Sequence, residues 1–218
     1  MNPGRSAALA VGLLALTGCT PTVAGSATPA PATATPATVE ELGALVLARV
    51  PSGLARIPDG DLQPPAGAKT VDDVAGYADD PARERAVLRD YGYRYGWERF
   101  WGSTTGPMTS VFVDQFDGHA GAAAYAEDLA GNDAALYDGV LRRDPADLPG
   151  GCSLLTVTAP AADPAADPAT RLAGPAAFAW CAHGVFSVAV TAVADSTEAA
   201  TGELRAVVLA QLDRLPLA

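Results

Sequence analysis

The stretch Tyr91-Gly-Tyr-Arg-Tyr-Gly-Trp-Glu98 marks the point where the chain changes from helix to sheet. Every second residue is a large aromatic side chain, and small or charged residues fill the positions between. That two-residue period is typical of a β-strand. Residues 109–116 repeat the period, and turn residues from Gly102 to Pro107 join the two segments. The sequence therefore predicts a β-hairpin.

Helix-start signals lie on both sides of this hairpin. A capping box at residues 38–41 predicts a helix that runs to Val50, and similar signals predict short helices from Thr70 and over residues 81–90. After the hairpin, Asp117 caps a predicted Ala-rich helix from residue 118 to about residue 130. A last capping box at residues 195–198 starts the predicted C-terminal helix.

Three further strands are predicted at residues 152–158, 176–182 and 185–193, with a tight return at Gly184. The Pro- and Gly-rich stretch 51–68 is predicted to be irregular. Short connections favour antiparallel pairing. The fold class is therefore predicted as α+β. We expect a single domain over residues 39–218, with an antiparallel sheet of about five strands and helices packed mainly on one face.

Cys152 and Cys181 are predicted to form a structural disulfide. Their midpoint falls at residues 166–167, inside the acidic Pro- and Ala-rich segment 160–168, as a hairpin of symmetric register requires. Opposed antiparallel residues lie about 4.5–5.5 Å apart at Cα, which a disulfide tolerates. No CxxC motif or pair of neighbouring histidines supports the alternative of a metal or catalytic site.

The N-terminal residues predict export and lipid attachment. Arg5 precedes an apolar run over residues 6–16, which is shorter than the about 20 residues of a membrane span, so residues 1–18 are predicted to be a signal peptide. Leu16-Thr-Gly-Cys19 resembles the lipobox of bacterial lipoproteins, where diacylglycerol is attached to the cysteine and the chain is cut before it. The resemblance implies a membrane anchor on Cys19; a signal peptide cut elsewhere is the alternative. Residues 19–38, rich in Pro, Ala and Thr, predict a tether.

Charge and motifs argue against several function classes. The net charge is −11, and it becomes −12 without the leader because residues 1–18 contain only Arg5 as a charged side chain. We therefore expect no nucleic-acid partner. HExxH, GxSxG, GxxxxGK and GxGxxG motifs do not occur, so we expect no catalytic residues, no cofactor and no metal. A proton shuttle at His183 and calcium at acidic pairs such as Asp72–Asp73 are the alternatives.

The aromatic strand is a candidate binding surface. Tyr93, Tyr95 and Trp97, joined by Trp101 if the strand continues, would form a stripe on one face, with apolar rings and polar tips. Such a stripe suits a glycan, a lipid or a protein partner. The alternative is that this face packs under helices as core, with Glu98 exposed on the opposite face.

Several segments together resemble a broad group of actinobacterial cell-envelope lipoproteins. They are the lipobox, the strand at residues 96–101, Phe116-Asp117 leading into residues 122–125, and the helix at residues 207–215. Some members of the group resemble the extracellular sensor domain of a mycobacterial Ser/Thr kinase, and others the Mog1/PsbP-like fold. Those kinase sensor domains carry two disulfides, whereas this sequence has cysteines for one. The resemblance implies a sensor-like domain and supplies no catalytic residues.

The leading hypothesis is a non-enzymatic, lipid-anchored extracytoplasmic module that binds an envelope ligand or protein. One alternative is a carrier of lipids or small molecules, which needs a deep apolar cavity between sheet and helices. Another is a carboxylate-based hydrolase, which needs two convergent carboxylates about 5–10 Å apart in a cleft.

Overall fold

The computed structural model describes residues 34–137, 139–158 and 172–217. Seven strands form one antiparallel sheet with helices packed against it, so the predicted α+β class is confirmed. The helices are α1 (Val39–Leu45), α2 (Val71–Ala75), α3 (Pro81–Asp90), α4 (His119–Tyr137) and α5 (Thr197–Leu212). The strands are β1 (Gly67–Lys69), β2 (Tyr93–Gly102), β3 (Met108–Phe116), β4 (Val140–Arg143), β5 (Cys152–Val157), β6 (Ala176–His183) and β7 (Phe186–Val193).

The sheet order is β1-β2-β3-β7-β6-β5-β4, which corrects the prediction of about five strands to seven. The two additional strands, β1 and β4, are the edges of the sheet and have three and four residues. Strands this short carry no readable alternation. Their extended form comes from backbone pairing with β2 and β5.

Helices cover both faces of the sheet, not mainly one face as predicted. α1 and α5 pack on the face that carries Val111 and Val188, while α2, α3 and α4 pack on the opposite face against Phe116 and Phe178. The first six residues of β6 are all buried, as expected for a strand covered on both sides. We refer to these as the α1/α5 face and the α4 face.

A β-bulge divides the aromatic strand between the two faces. Tyr93 lies opposite Phe116 but Tyr95 lies opposite Gln115, so β2 has one residue more than β3 between these pairs. A bulge of this kind shifts the side-chain alternation by one position. Tyr93 therefore packs on the α4 face, whereas Tyr95, Trp97 and Trp101 pack on the α1/α5 face, which corrects the predicted common stripe.

The helix α1 ends at Leu45 rather than at residue 50, because distant side chains bind the carbonyl groups at its end. Arg99 on β2 donates to the carbonyls of Val46 and Leu47 at 2.8 and 2.7 Å. Arg214, beyond α5, donates to the carbonyl of Leu45 at 2.7 Å. These tertiary contacts satisfy carbonyls that a longer helix would bond internally.

Cys152 and Cys181 lie directly opposite each other on β5 and β6 and form the predicted disulfide. Their Cα atoms are 4.0 Å apart, and 29 positions separate them in sequence. Closing a loop of that length stabilises the fold by about 3–4 kcal/mol in the chain-entropy treatment. The predicted acidic segment 160–168 lies outside the described residues.

The predicted leader, Cys19 and most of the tether also lie outside the described residues. The end of the tether contacts the domain, since the Pro36 carbonyl accepts hydrogen bonds from the Tyr95 hydroxyl at 3.0 Å and from Gln115 Nε2 at 3.1 Å. This contact is on the α1/α5 face. Among the described helices, none combines the length and the apolar character that crossing a membrane requires.

Replacing two helical glycines by alanine is predicted to change the stability of the fold in opposite directions. A Cβ at Gly43 would lie 2.5 Å from the Trp97 ring, whereas a Cβ at Gly202 on α5 would have no atom within 4 Å. We expect Gly43→Ala to lower the free energy of unfolding by about 1–3 kcal/mol, since α1 must move away from the sheet. Gly202→Ala should raise it by about 0.5–1 kcal/mol. Urea unfolding measures both, and effects of the same sign would contradict this packing.

Candidate functional site

A cleft opens on the α4 face between two apolar clusters. One cluster lies beneath α2, α3 and the start of α4, and the other lies beneath the rest of α4. Between them, Phe112, Ala189 and Thr191 of the central strands are only partly buried. The cleft has a volume of about 270 Å³. Small-molecule sites commonly have about 300–1,000 Å³, so this cleft suits a small compound rather than a whole lipid.

The lining combines aromatic rings with three carboxyl groups, and none of the described residues that line it is basic. α4 contributes one residue from each successive turn, because a spacing of four places side chains on one helix face. These residues are Tyr125, Leu129, Asp133 and Tyr137. The sheet contributes Glu98, Phe112, Asp114, Phe178, Trp180, Ala189 and Thr191, and Val74 and Tyr77 close the side next to α2.

Asp114 is a deeply buried carboxyl group of the cleft, with 7% of its surface exposed. The Tyr93 hydroxyl donates to its Oδ1 at 3.2 Å. Within the described ranges, no other hydrogen bond or ion pair reaches this side chain. Burial raises the pKa of Asp114 to about 7; the Tyr93 hydrogen bond opposes that rise and the charge of Glu98 adds to it. Gly96 lies opposite on β2, where a Cβ would overlap Oδ1.

Glu98 is buried beside Asp114 but has partners, which corrects the expectation that it is exposed. Lys69 Nζ lies 3.2 Å from Oε2, and the Tyr77 hydroxyl donates to Oε1 at 2.9 Å. Burial raises the pKa of Glu98, while Lys69 and Tyr77 act to lower it. Lys69 is itself only 4% exposed and also donates to the Pro65 carbonyl. Lys69, which is not part of the lining, thus neutralises the Glu98 carboxylate through an ion pair.

Asp133 and a row of aromatic rings complete the site. Asp133 is partly buried on α4, and burial raises its pKa to about 6. No hydrogen bond or ion pair joins it to another described residue. The Tyr137 ring stacks on Phe178 with centroids 4.9 Å apart, and Phe178 stacks on Trp180 with centroids 5.9 Å apart. The cleft therefore places Asp114 and Asp133, which have no cationic partner among the described residues, on the same lining as these aromatic rings.

The structure does not bring the four predicted binding residues together. Trp101 is 1% exposed, and Tyr95 and Trp97 pack in the core beneath α1 and α5. Tyr93 alone contributes to the cleft, through its hydrogen bond to Asp114. Sequence reasoning missed the other lining residues. Two signals point to them: a carboxylate inside the apolar strand 109–116, and the four-residue spacing from Tyr125 to Tyr137.

The other candidates lie away from this cleft. His183 is half-buried beside a separate depression of about 390 Å³ lined mainly by aliphatic residues near the C-terminus. Asp72 pairs with Arg85, and Asp73 accepts a hydrogen bond from the Thr70 backbone at 2.8 Å. Over the described part of the chain, no group of three or more His, Cys, Asp or Glu side chains could hold a metal ion.

No protein-family model matches the chain, and no curated protein matches it. Among solved structures, the chain is similar to the crystal structure of the extracellular domain of PknH from Mycobacterium tuberculosis. The TM-score is 0.46 at 13% sequence identity, and the alignment covers 82% of this chain and 98% of that chain.

The buried Asp114 predicts a pH-dependent stability. Its folded pKa of about 7 lies above its ordinary value of 3.8, so the native state binds more protons between these values and loses stability as the pH rises. The free energy of unfolding of Asp114→Asn lacks this pH dependence. As the pH rises from 5 to 8, we therefore expect the stability of Asp114→Asn relative to the wild type to increase by about 2–3 kcal/mol. The titratable groups that interact with Asp114 are Tyr77, Tyr93, Glu98 and Tyr125.

Urea unfolding of both proteins at the two pH values measures this gain. Asp195→Asn, at an exposed position, is the matched control and should show no such change. A pH-independent difference between Asp114→Asn and the wild type would contradict the assignment.

Proposed function

We propose that this chain is a lipid-anchored, extracytoplasmic binding module of the cell envelope. Its cleft between α4 and the sheet takes a small molecule. The observation that carries the proposal is Asp114, a buried carboxyl group that lines the cleft and has Tyr93 as its one hydrogen-bond partner among the described residues. A buried carboxyl group costs free energy unless it is paired, and a ligand supplies the missing partner.

The proposed location rests on the leader and the disulfide. Leu16-Thr-Gly-Cys19 supplies the lipid attachment signal, and a structural disulfide is typical of proteins that fold in an oxidising compartment. Two acyl chains on Cys19 suffice for stable anchoring. The stretch between Cys19 and Pro36, residues 20–35, would reach about 22 Å as a coil and about 50 Å when extended. The tether joins the α1/α5 face, so the cleft lies on the opposite face of the sheet.

A carboxylate-based hydrolase is the second candidate, because Glu98 and Asp114 both line the cleft. They project from neighbouring strands on one sheet face, since Gly96 lies opposite Asp114. Glycosidases instead place two carboxyl groups on either side of the bond that breaks. Glu98 and Asp114 lie on one side of the cleft, and the ion pair with Lys69 neutralises Glu98. The third carboxyl group, Asp133 on α4, has no hydrogen-bond partner among the described residues that would orient it for acid or base catalysis, so the lining favours binding over hydrolysis.

The lipid anchor predicts membrane association that depends on one thiol. We expect the wild-type chain in the membrane fraction of its own host, with an intact mass that includes diacylglycerol. Cys19→Ser should lose the lipid mass and leave the membrane fraction, whereas the neighbouring Thr20→Ser should keep both. Wild-type protein without added lipid would contradict the anchor.

The cleft predicts a ligand that co-purifies with the protein. Native mass spectrometry of the chain isolated from its envelope should show a small non-covalent adduct. Ala189→Trp fills the cleft and should lose the adduct, whereas Ala199→Trp, at an exposed position on α5, should keep it. A cooperative unfolding transition verifies that both variants fold. Absence of the adduct from the wild type, or its retention in Ala189→Trp, would overturn the proposed site.

A further inference from the structure

We infer that the ligand of this cleft carries an organic ammonium group, which pairs with the carboxyl group of Asp114 and lies against the aromatic rings of the lining. The inference rests on the proposed function and adds the chemical class of the ligand. The same group occurs on free amines and on lipid headgroups, and the experiment below separates these sources.

The charge of the lining favours a cation over an anion. Three carboxyl groups line the cleft, and Lys69 neutralises only Glu98. Asp114 and Asp133 have no cationic partner among the described residues. An anionic ligand would add repulsion at a site of low dielectric constant, and a neutral ligand would leave the buried Asp114 carboxylate without a cationic partner. An ammonium group supplies that partner, and the partly buried Asp133 adds negative charge to the same lining.

The aromatic rings indicate that this cation is organic. Tyr137, Phe178 and Trp180 form a stacked row, and the Tyr125 ring lies on the same lining. Alkylammonium groups interact with such rings through cation–π attraction and methyl contacts. Lys69 Nζ already lies 5.6 Å from the centre of the Tyr77 ring at the edge of the cleft. A metal ion needs several converging oxygen ligands, which the described residues do not supply.

The volume of the cleft limits the size of this ligand. About 270 Å³ accommodates a compound with few carbon atoms or the headgroup of a lipid. Choline and n-butylammonium are therefore suitable cationic probes. The alcohol 3,3-dimethylbutan-1-ol has the shape of choline without its charge, so it separates the contribution of charge from that of apolar contact.

The test titrates the full chain carrying Cys19→Ser, which has no lipid anchor of its own, with these three probes at pH 8, where both carboxyl groups are mostly ionised, and follows the fluorescence of Trp180. We expect saturable binding of at least one cation, with a Kd at least tenfold lower than that of the neutral alcohol. Asp114→Asn and Asp133→Asn should each raise the Kd of the cation at least fivefold and leave the alcohol unchanged. Asp195→Asn should change neither, and Trp180→Phe should remove the signal.

The outcomes distinguish this inference from the proposed function. Equal affinity for choline and its neutral isostere, or no binding of either cation, overturns the ammonium assignment. The co-purifying adduct then tests the binding module by itself. If the cations bind, sedimentation with phosphatidylcholine vesicles identifies a headgroup as the source, and failure to sediment identifies a free amine. Either source supports the assigned class.

Discussion

The bulge between Tyr93 and Tyr95 directs neighbouring aromatic side chains of β2 to opposite faces of the sheet. On the α4 face, the Tyr93 hydroxyl reaches Asp114; on the α1/α5 face, the Tyr95 hydroxyl holds the Pro36 carbonyl. Without the additional residue, Tyr93 would point away from Asp114. The buried carboxyl group would then lose a hydrogen bond, at a cost of about 1–3 kcal/mol. The lining of the cleft and the packing of α1 on the sheet both depend on this register.

Buried charged side chains have different kinds of partner on the two faces of the sheet. On the α1/α5 face, burial lowers the pKa of Arg99 to about 10, and its guanidinium donates to backbone carbonyls at the end of α1. The two terminal nitrogens of this guanidinium therefore fix the end of a helix. On the α4 face, Glu98 is paired with Lys69, whereas Asp114 receives one hydrogen bond from Tyr93. The carboxyl group without a cationic partner among the described residues distinguishes this cleft from ordinary core.

Features that depend on residues close together in sequence could be predicted, whereas features that depend on distant residues could not. The caps of α2 and α3 and the disulfide register were readable, because neighbouring residues or a symmetric hairpin determine them. The end of α1 was not readable, since Arg99 and Arg214 act on it from distant positions in sequence. α4 continues past Gly131 to Tyr137, where the ring stacks on Phe178. The lining residues come from α2, β2, β3, β6, β7 and α4, which no local pattern unites.

Residue patterns alone were enough to predict the α+β class, the major strands, the pairing of Cys152 with Cys181, and an acidic domain without recognisable catalytic motifs. These properties follow from periodicity, capping chemistry and charge, which act over a few residues or over the whole composition. The face that each aromatic residue occupies, and the cleft that the three carboxyl groups line together, became clear from the folded chain. The reason is that one inserted residue in β2 reverses the alternation, and its effect is visible only when β2 is paired with β3.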